Sequence, residues 1–203
     1  MSATLTCPAT SIGLMAPRRG FRFSARIAFY LQASMTLGFL AGSSAPTPLY
    51  ALYQARWGFS ATMLTLAFGI YAIAVLVALL VAGQLSDHIG RRPVLMAAAA
   101  FQTLAMAVFA TAHGVDDLLI GRVIQGLSAG AAVAAIGAGL LDIDKVRGAV
   151  ANAVAPLLGS AIGGVLAGLL VQFLPAPTRL VEVPAATWPM TTAVAALAPP
   201  GML

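Results

Sequence analysis

No charged side chain falls anywhere between Ala61 and Ala82, and that single run limits the fold more than any other feature of the chain. Crossing a hydrocarbon core of about 30 Å takes roughly 20 apolar residues in a helix that rises about 1.5 Å per residue. Lipid offers no water to an open backbone, so such a run must satisfy its own N–H and C=O groups, as a helix does. Four further runs meet the same requirement, at about 24–45, 93–112, 118–141 and 149–174. Pro46 and Pro48 end the first of them. Pro93 falls in the first turn of the run at 93–112, where its missing N–H costs nothing. None alternates polar and apolar residues as a barrel strand does, and all are much longer than one. The expected fold is all-α, a polytopic transmembrane helical bundle with five clear spanning helices.

The remaining sequence divides around that bundle. Residues 1–22 read as a cytoplasmic tail and 23–174 as the bundle. In 175–203 the prolines at 175, 177, 184, 189, 199 and 200 leave either a poor sixth helix or a disordered end. Met15 is an alternative start. No apolar stretch precedes Arg18 and Arg19, and the run after Arg26 is long enough to span, which argues against a cleaved signal. The single cysteine, Cys7, has no internal disulfide partner.

Composition agrees with a lipid-covered protein. The chain is 60% apolar and 8% charged, with a mean hydropathy of +0.94. Soluble domains are roughly 45–50% apolar and about 25% charged, so these few charges cannot cover one. A net charge of +5 is what membrane proteins carry when cations collect in cytoplasmic loops, and nucleic acid is not expected as a partner. Arg18, Arg19, Arg22 and Arg26 precede the first run, Arg91 and Arg92 lie between the second and third, and Lys145 and Arg147 between the fourth and fifth. The other side holds only Arg56 and Arg179, with the acidic pair Asp116 and Asp117. This asymmetry places the N-terminus in the cytoplasm of a multi-pass inner-membrane protein. On the outer side, Tyr50, Tyr53 and Trp57 have the amphipathic rings of headgroup anchors, a binding role being the alternative.

The chemistry concentrates in three places. The connection Gly83-Gln84-Leu85-Ser86-Asp87-His88-Ile89-Gly90-Arg91-Arg92 joins the second and third runs. Gly83 allows neighbouring helices to approach, Gly90 permits a turn with positive φ, and Asp87 and Arg91, four apart, can form a charge-assisted pair. In the fourth run Arg122, Gln125 and Gly126 share one face. An arginine inside a spanning helix is expensive unless it meets a cavity or a partner, although snorkelling to the nearby headgroups is the competing explanation. In the fifth run Pro156 precedes Gly159, Gly163, Gly164 and Gly168, whose four-residue spacings give two close-packing edges.

These segments resemble the major facilitator superfamily, from about Phe23 to Arg179. The connection resembles that family's cytoplasmic signature Gly-x-Leu-(Ala/Ser)-Asp-(Arg/Lys)-x-Gly-Arg-(Arg/Lys), with His88 in place of the usual Arg or Lys. A histidine is cationic only part of the time near neutral pH. The resemblance implies a cytoplasmic gating role for Gly83, Leu85, Asp87, Gly90, Arg91 and Arg92. Arg-x-x-Gln-Gly is similar to the family's second motif, which implies that Arg122, Gln125 and Gly126 belong to a transport pathway. The fifth run resembles the Gly-x-x-x-Gly-Pro motif of drug/proton antiporters, except that Gly164 stands where that motif has proline; generic helix packing explains its glycines too.

The resemblance implies the N-terminal half of a two-half fold, with substrate held between the halves. The function expected is secondary active transport of a small molecule, in the direction of efflux, by alternating access. Its partners would be the lipid bilayer, the small molecule with or without a coupled proton, and either a second half or a second copy of the chain. The alternative is a truncated or frameshifted membrane polypeptide that transports nothing. No enzyme is expected: His88 and His113 have no Cys or Glu at metal-ligand spacing, no GxxxxGK[ST] occurs, and neither a metal nor a cofactor is implied. The five runs contain no interior carboxylate to carry a proton.

Overall fold

Six helices and one 3-10 turn account for nearly all the described residues, 24–173, of a computed structural model. They are α1 (Ala25–Ser44), a 3-10 turn at Thr47–Leu49, α2 (Tyr50–Trp57), α3 (Ala61–Ile89), α4 (Arg91–Ala110), α5 (Val115–Ile143) and α6 (Lys145–Phe173). No strand occurs among the described residues. Cys7, Met15, the N-terminal arginines before Ser24 and the proline-rich segment lie outside them.

The helix ends follow from local chemistry. Ser60 caps α3 by accepting a hydrogen bond from the N–H of Met63 at 3.4 Å. Asp144 does the same for α6, its Oδ1 accepting from Val146 and Arg147 at 3.0 Å each. At α5 the carboxylate of Asp117 accepts from the N–H of His113 at 2.9 Å, and Asp116 and Asp117 lie in the first turn, where the helix dipole favours negative charge. Gly58 ends α2 at φ +65°, a left-handed conformation that an L side chain rarely adopts.

The connection between α3 and α4 differs from the expected loop. α3 continues as helix through Ile89 and α4 starts at Arg91, so Gly90 alone, at φ +88°, makes the turn. The apolar run predicts where a helix can cross lipid. It does not say where the helix stops, and here α3, α5 and α6 each reach 29 residues, about 44 Å at the rise of an α-helix.

α3, α4, α5 and α6 are long and apolar enough to cross a membrane. α1 has 20 residues but is less apolar, because it carries several polar residues that the bundle accommodates. Gln32, Thr36 and Ser43 are buried against the bundle, while Ile27 and Tyr30 are exposed on the opposite side. Exposed apolar side chains also cover α3 (Ile73, Leu76, Leu80) and α6 (Leu157, Val165, Leu166), as lipid-facing surfaces do.

α5 is the central helix, packed against α3, α4, α1 and α6, and it is the most buried of the spans. Its glycines make this contact possible. A Cβ on Gly126 would come within 2.7 Å of both the Tyr71 carbonyl oxygen and the Ala74 Cβ, and one on Gly130 within 2.7 Å of the Ala78 Cβ. Small residues on both helices let the backbones of α3 and α5 approach closely, which dispersion forces reward in the absence of a hydrophobic drive between helices.

Two apolar clusters stack along the bundle. One joins Met35, Phe39, Val94, Leu95, Ile136 and Leu140; the other joins Leu49, Tyr50, Tyr53, Met106, Phe109 and Leu118. Between them in sequence, on each of α1, α4 and α5, lies a layer of buried polar residues: Ser43 of α1, Gln102 of α4, and Arg122, Gln125 and Ser128 of α5.

Candidate functional site

Arg122 is the centre of that polar layer. It sits seven residues into α5, about 10 Å from the helix start, and is 1% exposed. It therefore does not snorkel; its stem and head are both enclosed. Its Nη1 donates to the Gln125 Oε1 at 2.8 Å and to the Ser43 carbonyl at 3.3 Å, and its Nε donates to the hydroxyl of Tyr50. Gln125 in turn donates from Nε2 to the Gly42 carbonyl at 3.3 Å. The two α5 residues thus clamp the last turn of α1, whose carbonyls lack helix partners of their own.

Four aromatic rings surround the guanidinium carbon. Tyr50 lies 4.8 Å away by its centroid, Tyr71 5.5 Å, Phe68 5.6 Å and Phe109 5.7 Å. All are within the reach of cation–π attraction, which strengthens as water is excluded. Tyr50 also packs edge-on against Phe68, with centroids 5.4 Å apart. Asp142 and Asp144 pair with Arg91 and Arg147, far from Arg122, and no carboxylate among the described residues pairs with Arg122. Its Nη2 is buried and has no hydrogen-bond partner among the described residues.

Of the three residues expected in a transport pathway, Arg122 and Gln125 are therefore joined by a hydrogen bond, and Gly126 lies behind them at the α3 contact. The outer-loop aromatics read as headgroup anchors behave otherwise. Tyr50 and Tyr53 are buried, at 3% and 5% exposure, and Trp57 stacks on Tyr53 with centroids 4.6 Å apart. Because α2 folds back onto the bundle, Tyr50 becomes a ligand of Arg122 across 72 positions of sequence, which no local pattern encodes. Burial raises the Tyr50 phenol above its ordinary value near 10, against an opposing pull from Arg122.

At the other end of the bundle the signature residues separate. Asp87 and Arg91 do not pair: Gly90 breaks the helix between them, so the four-residue spacing no longer places them on one face. Arg91 instead forms an ion pair with Asp142 near the C-terminus of α5, a residue that no motif or spacing singles out. Asp87 and Leu85 are exposed, Arg92 is half-buried and engaged in the fold, and His88 donates from Nδ1 to the Gln84 carbonyl at 2.8 Å. Gly83 meets nothing within 4 Å of a Cβ position, so no close helix approach occurs there among the described residues. Of the two signature glycines, Gly90 is the one with a conformational reason to be glycine.

The α6 glycines split in the same way. Gly159 and Gly163 face α1, where a Cβ would collide with the backbone of Leu37 and Ala41. Gly164 and Gly168 have open space, so one close-packing edge is occupied and its neighbour is not. Pro156 lies within α6, which runs on through it, half-buried beside the buried Ala155. Asn152, whose carbonyl has no N–H to receive from Pro156, reaches with its side chain to the Gly137 carbonyl of α5 at 3.0 Å.

The sequence profile of the Major Facilitator Superfamily matches residues 32–199. Over 73 residues the chain is 40% identical to the multidrug resistance protein MdtL of Klebsiella pneumoniae subsp. pneumoniae, a stretch covering 36% of this chain and 19% of that protein. Over 99 residues it is 35% identical to the multidrug resistance protein MdtL of Shewanella oneidensis, covering 48% of this chain and 25% of that protein. The matched segments thus span about a fifth to a quarter of these relatives' length. With an all-helical bundle, a buried arginine on its central helix and a profile match through most of its length, the chain belongs to the Major Facilitator Superfamily.

Proposed function

We propose that the chain forms one half of a secondary transporter that moves a small molecule outward across the inner membrane by alternating access. The observation that carries this reading is Arg122, an intramembrane charge 1% exposed and clamped to α1 through Gln125. A charge in that position costs several kcal/mol in a purely structural bundle, so its presence marks a working site. The multidrug resistance relatives support efflux as the direction. The apolar, aromatic wall around the arginine favours a substrate with a large apolar surface.

The cytoplasmic latch in this reading is Arg91 with Asp142. It ties the α3–α4 turn to the end of α5, and its side chains are 25% and 67% exposed. An ion pair this open is worth about 0–1 kcal/mol, weak enough to break and re-form in every cycle. The N-terminus lies in the cytoplasm, on the side of Arg91 and Arg147.

The test is flux of a fluorescent lipophilic dye in proteoliposomes containing the purified chain as a homodimer, the second copy standing for the second half, with Arg122→Gln as the control. Dye movement by the chain and its loss in the variant are expected. No flux by the chain under any imposed ion gradient would sink transport by this polypeptide on its own.

A further inference from the structure

The guanidinium of Arg122 is incompletely satisfied, and the unfilled part has a shape. Nε and Nη2 share one edge of the group, the edge that takes a carboxylate by two parallel hydrogen bonds. Nε is occupied by the neutral hydroxyl of Tyr50, and Nη2 is buried without a partner. A single hydroxyl oxygen fills one place of a fork built for two. Nη1, on the other edge, is committed to Gln125 and Ser43.

No acid of the described residues balances the charge. Asp116 and Asp117 are at the α5 start, Asp117 taken up with the His113 N–H, while Asp87 is exposed near the end of α3 and Asp142 and Asp144 pair with Arg91 and Arg147 at the far end. Leaving a buried charge unpaired is costly, and the surrounding rings attract the cation without neutralising it.

We propose that the Nε–Nη2 edge of Arg122 is a binding site for the carboxylate of a small molecule, and that Tyr50 is the internal stand-in that holds the seat when the carboxylate is absent. Entry requires the Tyr50 ring to withdraw, and its position makes this a local motion. Tyr50 opens α2, an eight-residue helix set between the 3-10 turn at Thr47–Leu49 and Gly58. The flat rings of Phe68, Tyr71 and Phe109 remain as walls for the apolar part of the ligand. The ligand class deepens the transport reading, but the site rests on the geometry of Arg122 and is tested without any flux.

The probe is sodium formate, titrated against sodium chloride at equal ionic strength, with the full chain in lipid nanodiscs. The readout is the thermal unfolding midpoint, which a ligand of the folded state raises by mass action. A saturable rise with formate and none with chloride is expected. Tyr50→Phe removes the competing hydroxyl and should tighten the formate response about tenfold, the worth of one hydrogen bond to a charged group. Arg122→Gln should abolish it. Where that variant does not fold, Arg122→Lys retains the charge without the fork and should weaken the response by about the same factor. Equal responses to formate and chloride, or a formate response unchanged in the arginine variants, overturn the proposal. Loss of dye flux with formate binding intact would count against transport by this chain and leave the site standing.

Discussion

Arg122 sets the terms at the scale of the residue, because almost every hydrogen bond in the polar layer passes through it or through Gln125. Its partner Tyr50 offers a pH signature. The phenol is buried and its affinity for the proton is raised in the fold, chiefly by desolvation. Above pH of about 10 the unfolded chain releases this proton while the folded chain keeps it, so stability should be level below that point and fall above it. Thermal unfolding across that range, compared with Tyr50→Phe, checks the sign; an equal decline in the variant would assign the effect to another group. Gln102 makes a second case. It is fully buried, and neither amide atom has a partner among the described residues. Gln102→Leu keeps the volume and removes the desolvation penalty, so it should stabilise the bundle by about 1–2 kcal/mol, read as a higher unfolding midpoint in detergent.

The glycines become interpretable at the scale of the element, when each is asked which helix it meets. Gly130 and Gly164 look alike in sequence, each in a glycine-rich apolar run. Gly130 lies against the Val75 carbonyl and Ala78 of α3, whereas Gly164 meets nothing within 4 Å. Gly130→Ala should force α3 from α5 at a cost of about 1–3 kcal/mol. Gly164→Ala should be neutral or stabilising by up to about 1 kcal/mol, through helix propensity. Thermal unfolding of the pair under identical conditions decides the matter, and equal effects would contradict the contact assignment. The spacing of Gly159, Gly163, Gly164 and Gly168 identified two edges, but only the crossing of α1 determines which edge is filled. The turn at Gly90 carries the same lesson. Its need for positive φ was legible, yet the helical extension of α3 to Ile89 was not, and that extension is what separates Asp87 from Arg91.

The described residues form a bundle organised around α5, with the Arg91–Asp142 pair at one end and the buried aromatic residues of α2 at the other. Asp142→Asn should change stability by less than about 1 kcal/mol, since the pair with Arg91 is largely open to solvent. Its larger consequence belongs to function: dye flux should change while the unfolding midpoint does not. Orientation has a direct test in the single cysteine. A membrane-impermeant maleimide should label Cys7 in inside-out vesicles and not in right-side-out ones; the opposite pattern would reverse the orientation.

What the sequence determined by itself is the class of solvent and the class of fold. Long uncharged runs leave a backbone in lipid no alternative to helices, and a lone arginine within one of them announces a site, because both effects are local and large. What only the tertiary structure decided is partnership. Tyr50 meets Arg122, Asp142 replaces Asp87 as the partner of Arg91, and α1 chooses Gly159 and Gly163 over Gly164 and Gly168. These choices depend on how helices cross and where they end, which are properties of packed backbones and leave no periodic trace in any one segment.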